Sequence, residues 1–149
     1  MTEFEMTDLG KLTYFPGMEF TKTSECLVMH QKKYATNILK RFNMMGFNPA
    51  STPSEVNLKL VKNEDEELVD PTLIKQIIES LRYLCNSRPY IIYHVGIICR
   101  FKSEVRSSHF LTTKRVMRNI KGTLGYELLF PANVNGAIVN LMTCHLMLF

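Results

Sequence analysis

No two of the four cysteines, Cys26, Cys85, Cys99 and Cys144, stand in a CxxC pair. Scattered thiols of this kind exclude the usual zinc frameworks and a disulfide scaffold, and they point to a reducing intracellular compartment, cytoplasmic or nuclear. The first ten residues are polar and acidic, not basic and then apolar, so no secretory leader is expected. The longest apolar stretch, 137–149, is broken by Asn140, Thr143 and His145 and is too short to span a membrane. Gly-rich phosphate loops, nucleophile elbows and triad spacings are all missing. His30, His94, His109 and His145 are dispersed, which argues against metal ligation or general-base work.

What is present is an uneven charge. Residues 1–70 carry 8 Lys/Arg against 11 Asp/Glu, whereas residues 71–149 carry 10 against 3. A second half with a balance of +7 suits a polyanionic partner, because clustered cations gain by releasing counterions from phosphates. A merely solvated basic surface fits the same numbers.

At 149 residues the chain suits one domain with its own core. Leu12 to Lys22 and Cys26 to Met29 read as a β-hairpin turning at Thr23-Ser24-Glu25. Pro16 is awkward within it, since it donates no ladder hydrogen bond, and marks an edge, a bulge or damage. Gln31 to Phe42 reads as a helix with Tyr34, Ile38 and Phe42 inward. Residues 58–70 form an acidic, solvated loop. Asp70-Pro71 is a helix start, and Ile74, Ile77, Ile78, Leu81 and Leu84 give that helix its apolar stripe. Pro89 opens a second helix. Ser107 or Ser108 caps a third, which Gly122 ends, and Tyr126 to Phe130 is a short strand. The fold class expected is α+β: a β-hairpin and helix, then a mainly helical three-helix unit.

Several segments, taken together, resemble a known family. Ser80-Leu81-Arg82-Tyr83-Leu84, then Ser87-Arg88-Pro89, then His109 to Thr123 (HFLTTKRVMRNIKGT) are similar to the family patterns GSLxYLxxxRPDI and HxxAxKRIxRYLKGT. Met6 to Gly10 with Leu12, Tyr14, Phe15 and Gly17 is similar to MxDLGxLxYFLGxE, and Gln31, Tyr34, Ile38, Leu39 and Phe42 to QxxYxxxILxxF. Pro49, Thr52 and Pro53 match the stretch that follows. The family is the copia-type retrotransposon Pol polyprotein, in the C-terminal part of its reverse transcriptase domain. The resemblance implies a partial palm and thumb over residues 1–131, divided into a hairpin-helix part at 1–57, the acidic loop and a helical part at 71–131. A divergent tail occupies 132–149.

The resemblance also bears on chemistry. A polymerase holds two Mg²⁺ ions on convergent carboxylates. The family keeps two of these in a YVDD-type hairpin, yet this chain has no adjacent aspartates. It is therefore expected to be no enzyme as it stands, with no cofactor of its own, Mg²⁺ belonging to the intact parent polymerase. Departures from the pattern are Pro16 for Leu, Glu79 for Gly, Tyr90 for Asp, Val105 for Pro and Asn119 for Tyr. Each is a local conflict that weakens the expected fold.

Lys114, Arg115, Arg118 and Lys121 recur at spacings of three and four, forming a row that either tracks a phosphate backbone or is simply solvated. Arg82 and Arg88 are candidate additions to that surface, and Lys32, Lys33, Lys40 and Arg41 make a weaker patch. By resemblance, Tyr14, Phe15, Gly17 and Met18 align with the hairpin that steadies a primer end; hairpin core is the alternative. Tyr83 and Tyr93 are candidate base-stacking rings or core aromatics. The expected partners are a DNA or RNA duplex or hybrid, or else the missing polymerase segments or another protein. No membrane partner is expected.

Overall fold

A computed structural model describes residues 14–131. The motif at Met6 to Gly10 and the tail at 132–149 lie outside the described residues. Four strands, β1 (Tyr14–Phe15), β2 (Met18–Lys22), β3 (Cys26–His30) and β4 (Leu128–Pro131), form one antiparallel sheet in the order β1-β2-β3-β4. Four helices complete the fold: α1 (Lys32–Arg41), α2 (Pro71–Leu84), α3 (Ile92–Cys99) and α4 (Ser107–Gly122), with one 3₁₀ turn at Pro89–Ile91 leading into α3. The class is α+β.

The segment 12–22 is not one strand. Pro16 and Gly17 turn the chain back so that Phe15 pairs with Met18 and Tyr14 with Glu19. Gly17 has φ +77, the left-handed value that the third residue of a type II turn requires after proline. Pro16 is therefore a turn former, not a damaged strand position. A Cβ on Gly17 would stand 2.7 Å from Cε1 of Tyr83. Tyr83 also donates its hydroxyl to the Pro16 carbonyl, and its ring meets Tyr34 edge-on at 4.9 Å. Aromatic side chains of α1 and α2 thus pin the tip of the hairpin.

The helices enclose the core, where Leu39, Ile74, Leu81, Leu84, Ile91, Val116 and Ile120 are fully buried. Each such side chain contributes about 1.5–3 kcal/mol of transfer free energy. The Asp70 carboxylate caps α2 by accepting from Thr72 N at 2.8 Å. On α1 the most buried positions are Ala35 and Leu39, flanking Ile38, while Tyr34 and Phe42 are half-buried. The sheet is less covered: among strand positions whose burial is described, Leu128 alone is buried.

Helix α4 is not capped by a serine side chain. Glu66, from the acidic loop, accepts from Ser108 N at 2.9 Å and from the Ser107 hydroxyl at 3.2 Å. A carboxylate there satisfies orphan helix donors and complements the helix dipole. The loop is tied to residues 104–108 by backbone bonds, Val69 N to the Val105 carbonyl at 2.9 Å and Ser107 N to the Glu67 carbonyl at 3.1 Å. Arg106 donates to the Glu66 carbonyl and pairs with Glu104. The segment expected to be a free solvated loop therefore builds the start of α4.

Four departures from the family pattern have defined places. Glu79 is exposed and pairs with Arg82 at 3.6 Å, Val105 is buried in the core, and Tyr90 shares a 2.8 Å hydrogen bond with Thr123. Asn119 donates to the Ala50 carbonyl at 3.0 Å. None of these leaves an unpaired charge inside.

Candidate nucleic-acid interface

Helical spacing sets Lys114, Arg115, Arg118 and Lys121 along one side of α4, and all four are half-exposed. Their heads are drawn to the chain segment 45–55, which runs across that side. Arg118 Nε donates to the Asn48 carbonyl at 2.7 Å. Lys121 Nζ donates to the carbonyls of Met45 and Phe47, both at 2.7 Å. Arg115 donates to the Thr52 hydroxyl at 3.1 Å and meets Glu55 at 3.4 Å. Lys114 Nζ lies 4.4 Å from the Phe110 ring centroid and 5.9 Å from that of Phe47.

Backbone contacts close the same seam. Ala50 N donates to the Arg118 carbonyl at 3.2 Å, and a Cβ added to Gly122 would meet Pro49 Cβ at 3.1 Å. Hydrogen bonds from charged donors to carbonyls contribute about 1.5–3 kcal/mol when shielded and less at half exposure. The row is thus first a clamp on segment 45–55. Sequence spacing located the row but not its acceptors, which lie 70 or more positions away for Arg118 and Lys121.

Arg88 needs correction as a surface contact. It is 1% exposed, and its guanidinium donates to the Thr123 carbonyl at 2.6 Å and to the Thr123 hydroxyl at 3.0 Å. It anchors the end of α4 from inside and presents nothing to a polyanion. Arg82 is exposed on α2 and lines a different cavity, with Cys85, Cys99 and Lys102. Of the hairpin group, Tyr14 and Phe15 enter through their strand pairing, Gly17 sits within the β1–β2 turn and Met18 opens β2.

Beside α4 the structure brings Lys59, Arg115 and Arg118 to one cleft of about 440 Å³, together with Leu60, Leu111 and Thr112. Glu55 and Glu66 stand on its walls. Glu66 is held below the usual carboxylate range chiefly by the Ser108 N–H, with the Ser108 and Ser107 hydroxyls adding to it. Nothing local to Lys59 in the sequence marks it as a site residue. Among the described residues no three His, Cys, Asp or Glu side chains converge to hold a metal ion. Among the described residues no helix is long and apolar enough to cross a membrane.

The chain is 35% identical over 130 residues to an uncharacterized mitochondrial protein of Arabidopsis thaliana, covering 87% of this chain and 54% of that protein. It is 32% identical to the retrovirus-related Pol polyprotein from transposon RE2 of Arabidopsis thaliana, covering 80% of this chain and 8% of the polyprotein. To the corresponding polyprotein from transposon TNT 1-94 of Nicotiana tabacum it is 33% identical, covering 85% of this chain and 10% of the relative. The chain thus spans about half the length of the first of these relatives and a tenth or less of the polyproteins. No family model matches the chain, and no solved structure matches it.

Proposed function

Because this chain is homologous to a segment of the copia-type, retrovirus-related Pol polyproteins of transposons, we propose that it is a retrotransposon-derived part of a reverse transcriptase that holds nucleic acid without reading its sequence. It corresponds on this reading to the late palm hairpin and the thumb-side helices, and the chain by itself performs no polymerase chemistry. The observation that carries the reading is the cleft where Lys59, Arg115 and Arg118 converge, since phosphate contacts position a duplex and need only cations and shape. Mg²⁺ belongs to the parent polymerase.

The test is anisotropy titration of a labelled RNA–DNA hybrid over a range of salt. The logarithm of affinity falls with that of salt by about 0.9 per phosphate neutralised, so three cations give a slope of about −2 to −3. Arg115→Gln lowers the slope by about 1, with a melting curve confirming that the variant is folded. Affinity indifferent to ionic strength overturns the reading, and primer extension by the purified chain with Mg²⁺ overturns its non-catalytic part.

A second reading rests on the sheet, whose β2 and β3 positions are nowhere fully buried although they include Phe20, Leu27, Val28 and Met29. Half-covered apolar strands suit docking onto the polymerase segments that precede this one in the relatives. A complex with such a segment that survives nuclease and high salt supports it. Separate elution of the two by gel filtration refutes it.

A further inference from the structure

The cationic cleft does not end at α4. A second recess of about 250 Å³ adjoins it and shares Glu55, Leu58 and Thr112 with it. Tyr93 and His94, from α3, line this recess. Tyr93 is 70% exposed, so its ring is not a core aromatic, and it stands edge-on to the His94 ring at 5.5 Å. Two buried nitrogens on these walls, Nδ1 of His94 and Nε of Arg115, have no hydrogen-bond partner. Buried polar atoms are rarely left unpaired, and here they belong to residues that line the recess (His94) and the cleft beside it (Arg115).

We infer that the two recesses form one site for a nucleotide unit, an aromatic base on the Tyr93 face with its polar edge toward His94, and its phosphate on Arg115 and Arg118. Thr112 and Arg115 are three residues apart on α4, about 4.5 Å along the axis, so a base seated beside Thr112 leaves its phosphate over the guanidinium. The inference rests on the nucleic-acid reading above and narrows it: a base reaches Tyr93 only when it is unpaired, so this face takes single strand in preference to duplex. The other carboxylate of the cleft, Glu66, is tied to Ser107 and Ser108, which leaves Glu55 as the movable opposing group. Its side chain is 69% exposed and pairs with Arg115 at 3.4 Å, and an incoming phosphate displaces it.

The experiment compares a labelled 12-nucleotide single strand, the same sequence as an RNA–DNA hybrid, and a free nucleoside monophosphate. The single strand binds more tightly than the hybrid. Tyr93→Ala weakens single-strand binding by about 5- to 10-fold and leaves hybrid binding unchanged, Tyr93→Phe retains wild-type affinity, and Glu55→Gln tightens binding. Monophosphate binding with the same Tyr93 dependence assigns the site to free nucleotides; oligonucleotide binding without it assigns the site to a strand. Salt-sensitive hybrid binding combined with a silent Tyr93→Ala overturns this site and leaves the broader reading standing. Loss of all salt-sensitive binding removes both. Because Tyr93 is largely exposed, melting temperature is the same in both Tyr93 variants.

Discussion

Replacing Lys121 by methionine separates a clamp from a phosphate track. The substitution keeps most of the apolar stem and removes only the ammonium, with its two 2.7 Å bonds to the carbonyls of Met45 and Phe47. Bonds from a charged donor contribute about 1.5–3 kcal/mol, but the half-exposed carbonyls regain water, which leaves a net loss of about 1–1.5 kcal/mol. For a chain of this size that is about 3–5 °C in Tm. Urea unfolding in the absence of nucleic acid reads the loss directly. Amide exchange adds a local reporter, because Ala50 N donates to the Arg118 carbonyl inside the same seam and exchanges faster once segment 45–55 loosens. An unchanged urea midpoint together with unchanged exchange at Ala50 refutes the clamp and returns Lys121 to the pool of free phosphate contacts.

Two further outcomes rest on other contacts. Gly17→Ala forces a Cβ into left-handed backbone and against Tyr83, costing about 2 kcal/mol or more in a urea titration; a loss under about 0.5 kcal/mol contradicts the turn geometry. Acid acts through Glu66 and Glu104. The first is lowered chiefly by the Ser108 N–H and the second chiefly by hydrogen bonds from Lys62 and Arg106. Their folded pKa values lie below the unfolded ones, so their contribution is complete above about pH 4.3 and is lost as pH falls through the folded values. Thermal melts between pH 6 and 3 therefore show Tm dropping at the acid end, less steeply in Glu66→Gln; identical slopes for the two proteins count against the α4 cap.

Much of the helical half was legible from residue order. The stripe Ile74, Ile77, Ile78, Leu81, Leu84 and the Asp70-Pro71 start define α2, because helical period and end capping are local properties. The row on α4 was legible for the same reason. Local rules mislead where a residue's partner is distant. Pro16 reads locally as an edge, a bulge or damage in a strand, whereas Gly17 at positive φ makes it part of a turn pinned by Tyr83. Arg88 looked like a surface cation, yet it is buried against Thr123, 35 positions away.

The sequence by itself determined the ancestry and the helices, since the quoted motifs and the apolar periodicities need no neighbours in space. Tertiary structure alone decided what each charge is for. Glu66 caps a helix 42 residues later, Lys121 and Arg118 hold a loop about 70 residues earlier, and Lys59, Arg115 and Arg118 meet across a cleft. A charged side chain bonds whatever oppositely polarised group the fold brings within about 3 Å. That distance is set by the packing of the whole core and not by any short stretch of chain.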